Sequence, residues 1–176
     1  MNIDGKELLK LARNSIESFF DNKEIKTENF KEKKGVFVTL YTDNKVRGCI
    51  GFIEPNSSLG VHVIKAARLA AFQDPRFPPL KKNEKFRIEI SVLTKPELIK
   101  EKEPEKILKN IEINKDGLII SYKGYNGLLL PQVATENNLS KEEFLEAVCN
   151  KAGLQGISWK TGKCTLFKFQ AEIFKE

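Results

Sequence analysis

The segment Arg47-Gly48-Cys49-Ile50-Gly51 brings a guanidinium, a thiol and two positions without side chains into five residues. The run from Val46 to Ile53 reads as a strand. Strand side chains alternate, so Arg47, Cys49, Gly51 and Ile53 share one face, and Val46, Gly48, Ile50 and Phe52 share the other, core-facing one. Arg47 and Cys49 then stand about 6.6 Å apart, a range at which a cation favours a thiolate. This is the makeup of a nucleophilic or redox thiol next to an anion-holding arginine. Gly48 and Gly51 mark a bulge or a close approach of ligand or backbone. The same residues also fit a plainer reading, in which Cys49 is a small apolar filler and the glycine only admits a packed helix.

A second segment, Asp74-Pro75-Arg76-Phe77-Pro78-Pro79-Leu80, is stiff. The residue before a proline is pushed out of the helical region, and Pro78-Pro79 enforce an extended course. Arg76 therefore rides on a rigid corner. Either it is aimed into a cleft, or it pairs with Asp74 while Phe77 and Leu80 pin the loop to the core. His62, the single histidine, shares a helical stripe with Lys65 and Arg68. It is the one imidazole that could act as base for Cys49, or else a bystander. Cys149 has core spacing within its helix. No C-x-x-C pair occurs, and no metal or cofactor is expected. Trp159 with Lys160 and Lys163 reads as a ligand platform or as a loop anchor.

These residues need elements to hold them. Asp4 caps a helix to about Asp21 with Leu8, Ala12, Ile16 and Phe19 on one stripe. Gly35 to Thr42, an Asp43-Asn44 turn and Val46 to Ile53 form a hairpin. Ser57 or Ser58 caps a helix from Leu59 to Phe72. Phe86 to Thr94 is a strand, followed by a short helix near Glu105 to Asn110 and a short strand at Ile111 to Asn114. After a turn at Lys115 to Gly117, Leu118 to Tyr122 and Leu128 to Leu130 make a second hairpin around Gly124 to Gly127. Pro131 opens a short helix. Ser140 and Glu143 form a capping box for a helix to Ala152, ended by Gly153. Cys164 to Phe174 is a last strand. Hairpins with few β-α-β repeats predict an α+β fold with a largely antiparallel sheet and flanking helices.

Composition narrows the function. The chain has 176 residues, 30 basic and 24 acidic, and is 40% hydrophobic, which suits a globular unit rather than a disordered tail. One domain over residues 1–176 is expected. No apolar run is long enough to cross a bilayer. The opening Met1 to Glu7 lacks the order of a secretory signal, and three widely spaced cysteines favour a reducing, cytoplasmic setting. Four of the five arginines fall between Lys45 and Ile90, a window with nine basic and four acidic residues. It reads as an anion site or as a solvated basic surface. Lys34-Gly35-Val36-Phe37-Val38 has a faint RNA-recognition look, but the aromatic and small positions are wrong and nucleic acid is not expected. There is no phosphate loop, dinucleotide fingerprint or Ser-His-Asp signature.

The two segments resemble the signatures of the AMMECR domain family, in its archaeal and bacterial branch. The likeness continues through Ile90 to Thr94, Gly127 to Val133, Cys149 to Leu154 and Phe169 to Phe174, in one order along the chain. Val46 stands where the family has leucine and keeps an apolar residue there. His62 is not a position of the family pattern. The resemblance implies two unequal lobes around a cleft near Arg47 to Gly51. It implies association with Memo-type and radical S-adenosylmethionine proteins, and no particular reaction. The resulting expectation is a cleft protein for an anionic or carbonyl-bearing small molecule. Arg47, Gly48, Gly51, Asp74 and Arg76 would bind, Cys49 would act as nucleophile, and His62 is a weaker catalytic candidate. The alternatives are a non-catalytic interaction module and, third, an RNA binder.

Overall fold

A computed structural model describes residues 3–176, so Met1 and Asn2 of the opening segment lie outside the described residues. The described residues divide into two compact units, 3–93 with 172–176, and 94–171. The first contains α1 (Gly5–Phe20), β1 (Val36–Thr42), β2 (Lys45–Phe52), α2 (Leu59–Phe72) and β3 (Arg87–Leu93). The second contains β4 (Glu97–Ile99), α3 (Pro104–Asn110), β5 (Gly117–Tyr122), β6 (Tyr125–Leu129), α4 (Pro131–Glu136), α5 (Lys141–Lys151), a 3₁₀ helix (Gly156–Thr161) and β7 (Thr165–Phe169). A final strand, β8 (Ala171–Lys175), joins the sheet of the first unit. The fold is α+β with two four-stranded sheets, in strand orders β2-β1-β3-β8 and β4-β7-β5-β6.

In the first unit, the caps predicted from sequence are made. Asp4 accepts from the N–H groups of Lys6 and Glu7, and Ser58 accepts from Val61. The start of α2 gains two more acceptors, the carbonyls of Glu32 to Leu59 N–H and of Phe30 to Gly60 N–H. These satisfy donors that a helix start otherwise leaves open. One sheet face is apolar by alternation: Val36, Val38 and Leu40 stand opposite Val92, Ile90 and Ile88. They are buried with Leu8, Ala12 and Ile16 of α1 and Val63, Ala66, Ala67 and Ala70 of α2. The other face carries Thr39, Cys49 and Glu89 in one cross-strand row.

The hairpin turn is Asp43-Asn44, both with positive φ, as a two-residue primed turn demands. The register then slips. Tyr41 pairs with Val46, but Leu40 pairs with Gly48, so Arg47 is an extra, bulged residue. Strict alternation fails there, and Val46, expected on the core side, is 42% exposed.

The second unit holds two elements not expected from sequence, β4 and the 3₁₀ helix, and departs from expectation in three further places. Ile111 to Asn114 forms no strand, because Glu112 N–H is taken by the Asp116 carboxylate in a turn. The second hairpin turns at Lys123-Gly124, so β6 starts at Tyr125. The last predicted strand is two strands in different sheets, β7 and β8, separated at Gln170. Its core joins Ile99, Ile107, Leu118, Ile120, Phe144, Val148 and Trp159, with α5 held by the Ser140–Glu143 capping box. Among the described residues no helix is long and apolar enough to cross a membrane.

Candidate functional site

The two segments singled out in the sequence do meet in the first unit, and they meet at Cys49. Asp74 follows α2 and is held by the turn that Pro75 enforces. Its carboxylate, 1% exposed, accepts four hydrogen bonds: Cys49 N–H (2.8 Å), Arg76 N–H (3.1 Å), Arg76 Nε (2.9 Å) and Arg76 Nη2 (2.6 Å). Nη2 also donates to the Cys49 carbonyl at 3.1 Å. The corner is pinned behind by Leu80, which is buried and donates its N–H to the Ala71 carbonyl. Arg76 is thus fixed along one edge while its side chain stays 54% exposed, with its charge 5.4 Å from the Phe77 ring centre.

The electrostatics follow from these bonds. The Arg76 guanidinium, and then the N–H groups of Cys49 and Arg76, hold the Asp74 carboxyl down to about 2 against the opposing effect of burial. Arg76 is pushed up in turn by Asp74. Burial pushes the Cys49 thiol above its ordinary value, and the carboxylates of Asp74 and Glu89 add to this. The Thr39 hydroxyl, which donates to Cys49 Sγ at 3.1 Å, and the nearby Arg76 charge act the other way without reversing it. The balance of these effects disfavours the thiolate.

Arg47 goes elsewhere. Its Nε donates to Glu84 Oε1 at 2.5 Å and its Nη2 to Glu84 Oε2 at 3.2 Å. The two side chains are 13% and 23% exposed, and Arg47 Nη1 is buried with no hydrogen-bond partner. The Arg47 charge pulls the Glu84 carboxyl below the ordinary range. The bulge explains the departure, since Arg47 no longer keeps the alternation that would set it beside Cys49. A surface hollow of about 480 Å³ by the hairpin turn is lined by Glu84 and Arg87, not by Cys49 or Arg76.

Gly48 is a close-approach site for backbone: a Cβ there would sit 2.1 Å from the Ala70 carbonyl oxygen, so only glycine lets α2 lie on β2. At Gly51 the space belongs to the Phe37 ring, 2.4 Å from where a Cβ would be. Both glycines therefore meet the protein's own atoms. His62 is buried, stacked on Phe52, with Nδ1 3.0 Å from the Lys34 carbonyl and Nε2 2.8 Å from Asn56 Oδ1. With both ring nitrogens engaged there, His62 has none left to take a proton from Cys49. Its stripe-mate Arg68 donates to the Ser15 and Lys23 carbonyls and to Ser18 Oγ, closing the end of α1.

In the second unit Cys149 and Cys164 are buried free thiols, and burial pushes Cys149 up to about 11. Trp159 is buried, with Lys160 over its ring. Among the described residues no three histidine, cysteine or acidic side chains gather as metal ligands. Thr39 and Glu84 are the site residues that sequence reading missed. The only hint of Thr39 was its place on the strand facing Cys49's strand. Glu84 gave none.

An α+β chain whose arginine corner is locked onto a cysteine-bearing edge strand can now be set beside known proteins. The AMMECR1 family model matches residues 9–174, and the chain belongs to that family. It is 45% identical to Protein TV1384 of Thermoplasma volcanium, over 100% of this chain and 92% of that one. It is 47% identical to Protein PF1979 of Pyrococcus furiosus, over 98% of this chain and 88% of that one. A solved structure, the crystal structure of uncharacterized protein PH0010 from Pyrococcus horikoshii, matches with a TM-score of 0.93 at 44% identity. That match covers 98% of this chain and 91% of the other.

Proposed function

We propose that this protein is a binding protein whose Arg76 corner takes one anionic group, a carboxylate or phosphate, from a partner protein or small molecule. One observation carries the reading: Arg76 is fixed by Asp74 and the Cys49 carbonyl, yet half its side chain faces solvent and Nη1 has no protein partner among the described residues. A pre-set guanidinium loses little freedom on binding. Of the other arginines in the basic window, Arg47, Arg68 and Arg87 each have internal partners. The Memo-type and radical S-adenosylmethionine proteins that the family association brings are the partners to try first, and three free thiols fit a cytoplasmic setting.

Capture of those two proteins by tagged wild type, Arg76→Ala and Cys49→Ser tests it. The expected result is capture lost with Arg76→Ala and kept with Cys49→Ser. Capture that survives Arg76→Ala, or fails with Cys49→Ser, removes the reading.

A thiol enzyme is the second reading, favoured by the partial exposure of Cys49 and by the nearby Arg76 charge, which opposes the larger upward push of burial on the thiol. It predicts fast alkylation of Cys49 at neutral pH. The raised thiol predicts slow alkylation that rises only in alkaline solution.

A further inference from the structure

We infer that the Asp74–Arg76 pair is an edge guard, which occupies the strand-pairing groups of Cys49 and keeps a second copy of the chain from adding its own β2 to this sheet. β2 is the outermost strand in the order β2-β1-β3-β8. On such an edge, every second residue turns its N–H and C=O away from the sheet. At Cys49 those groups meet Asp74 Oδ2 at 2.8 Å and Arg76 Nη2 at 3.1 Å. One acceptor and one donor are what a residue of a neighbouring antiparallel strand would offer. Two side chains from a proline-stiffened corner thus stand in for a strand.

The guard is needed because the edge lacks the usual deterrents. Gly48 to Ile53 contains no charged residue and no proline. Only the Arg47 bulge and Lys45 protect its near end. The occupant it excludes is a second copy, since two β2 strands paired antiparallel about Cys49 are self-complementary. Each Cys49 would donate to and accept from the other.

Light scattering after size exclusion, over a hundredfold range of protein concentration, tests this on wild type, Arg76→Ala and Asp74→Ala/Arg76→Ala. The expected result is self-association at least tenfold tighter in the double variant than in wild type, and intermediate in Arg76→Ala. Amide exchange should show new protection confined to residues 47–53 in the associated form. Folded variants that associate no more than wild type overturn the inference, as does new protection elsewhere. If the double variant does not fold, Arg76→Ala decides, because the Asp74 carboxylate there keeps the backbone N–H groups of Cys49 and of residue 76 as donors. Wild type supplies an independent check: a Cys49 amide that exchanges as fast as an open residue's means that no guard is in place.

Discussion

Two arginine–carboxylate pairs flank the same strand, and their exposures are inverted. In Arg47–Glu84 the cation is the more buried partner, at 13% against 23%, and one of its nitrogens has no acceptor. In Arg76–Asp74 the acid is buried at 1% and the cation is 54% exposed. A buried cation with an unmet donor offsets much of what its ion pair contributes. A buried carboxylate with four donors is fully satisfied and also ties two chain segments together. The first pair fastens a bulge to a loop. The second builds a rigid corner and leaves one charge facing water. Sharing a strand and a charge type therefore does not make two arginines part of one site.

Substitutions can break that contrast, and the largest effect is expected at Asp74. Asp74→Ala strips the acceptor from Cys49 N–H and from Arg76, and should cost about 3 kcal/mol in urea unfolding at pH 7. Glu84→Gln leaves a mostly buried guanidinium poorly matched and should cost about 1–2 kcal/mol, whereas Arg47→Met, which also removes the orphan donor, should stay within about 1 kcal/mol. Equal losses for these two would erase the distinction between the pairs.

Acid titration sharpens it further. The Asp74 pKa is about 2 in the fold against an ordinary 3.8, so its contribution is complete above that ordinary value and is lost as pH falls through about 2. Allowing for the exposed partner, this is about 1–2 kcal/mol, and Asp74→Asn should flatten the acid limb of the stability curve between pH 4 and 2. An unchanged limb would mean that the carboxylate is not held as described. Arg76→Ala takes two of the four donors and the counter-charge from the buried Asp74 carboxylate, should cost about 1–2 kcal/mol, and should lose partner capture entirely.

Much of the corner was legible in advance. Pro75 and Pro78-Pro79 are local constraints that act wherever the chain goes, and an acid two residues before an arginine readily closes on its own turn. Leu80 as a core pin also follows from type alone. The hairpin was legible from Asp43-Asn44. What could not be read was the slip beyond it. Strict pairing outward from that turn sets Thr39 opposite Gly48, whereas the observed register sets it opposite Cys49. One extra residue thus gave the thiol its hydroxyl partner, exposed Val46 and sent Arg47 to Glu84. His62 shows the same limit. Its helical stripe was correct, but the loop carbonyl of Lys34 and the side chain of Asn56 claimed the ring.

The order of residues alone settled the helices, the hairpin and its turn in the first unit, and that a stiff arginine corner follows the second helix, because caps, prolines and alternation act over a few neighbours. Only the folded chain decided which charges meet. Bulge, helix approach at Gly48 and the capture of Arg47 by Glu84 depend on groups dozens of positions apart, and burial sets the worth of each pair only once those groups are in place.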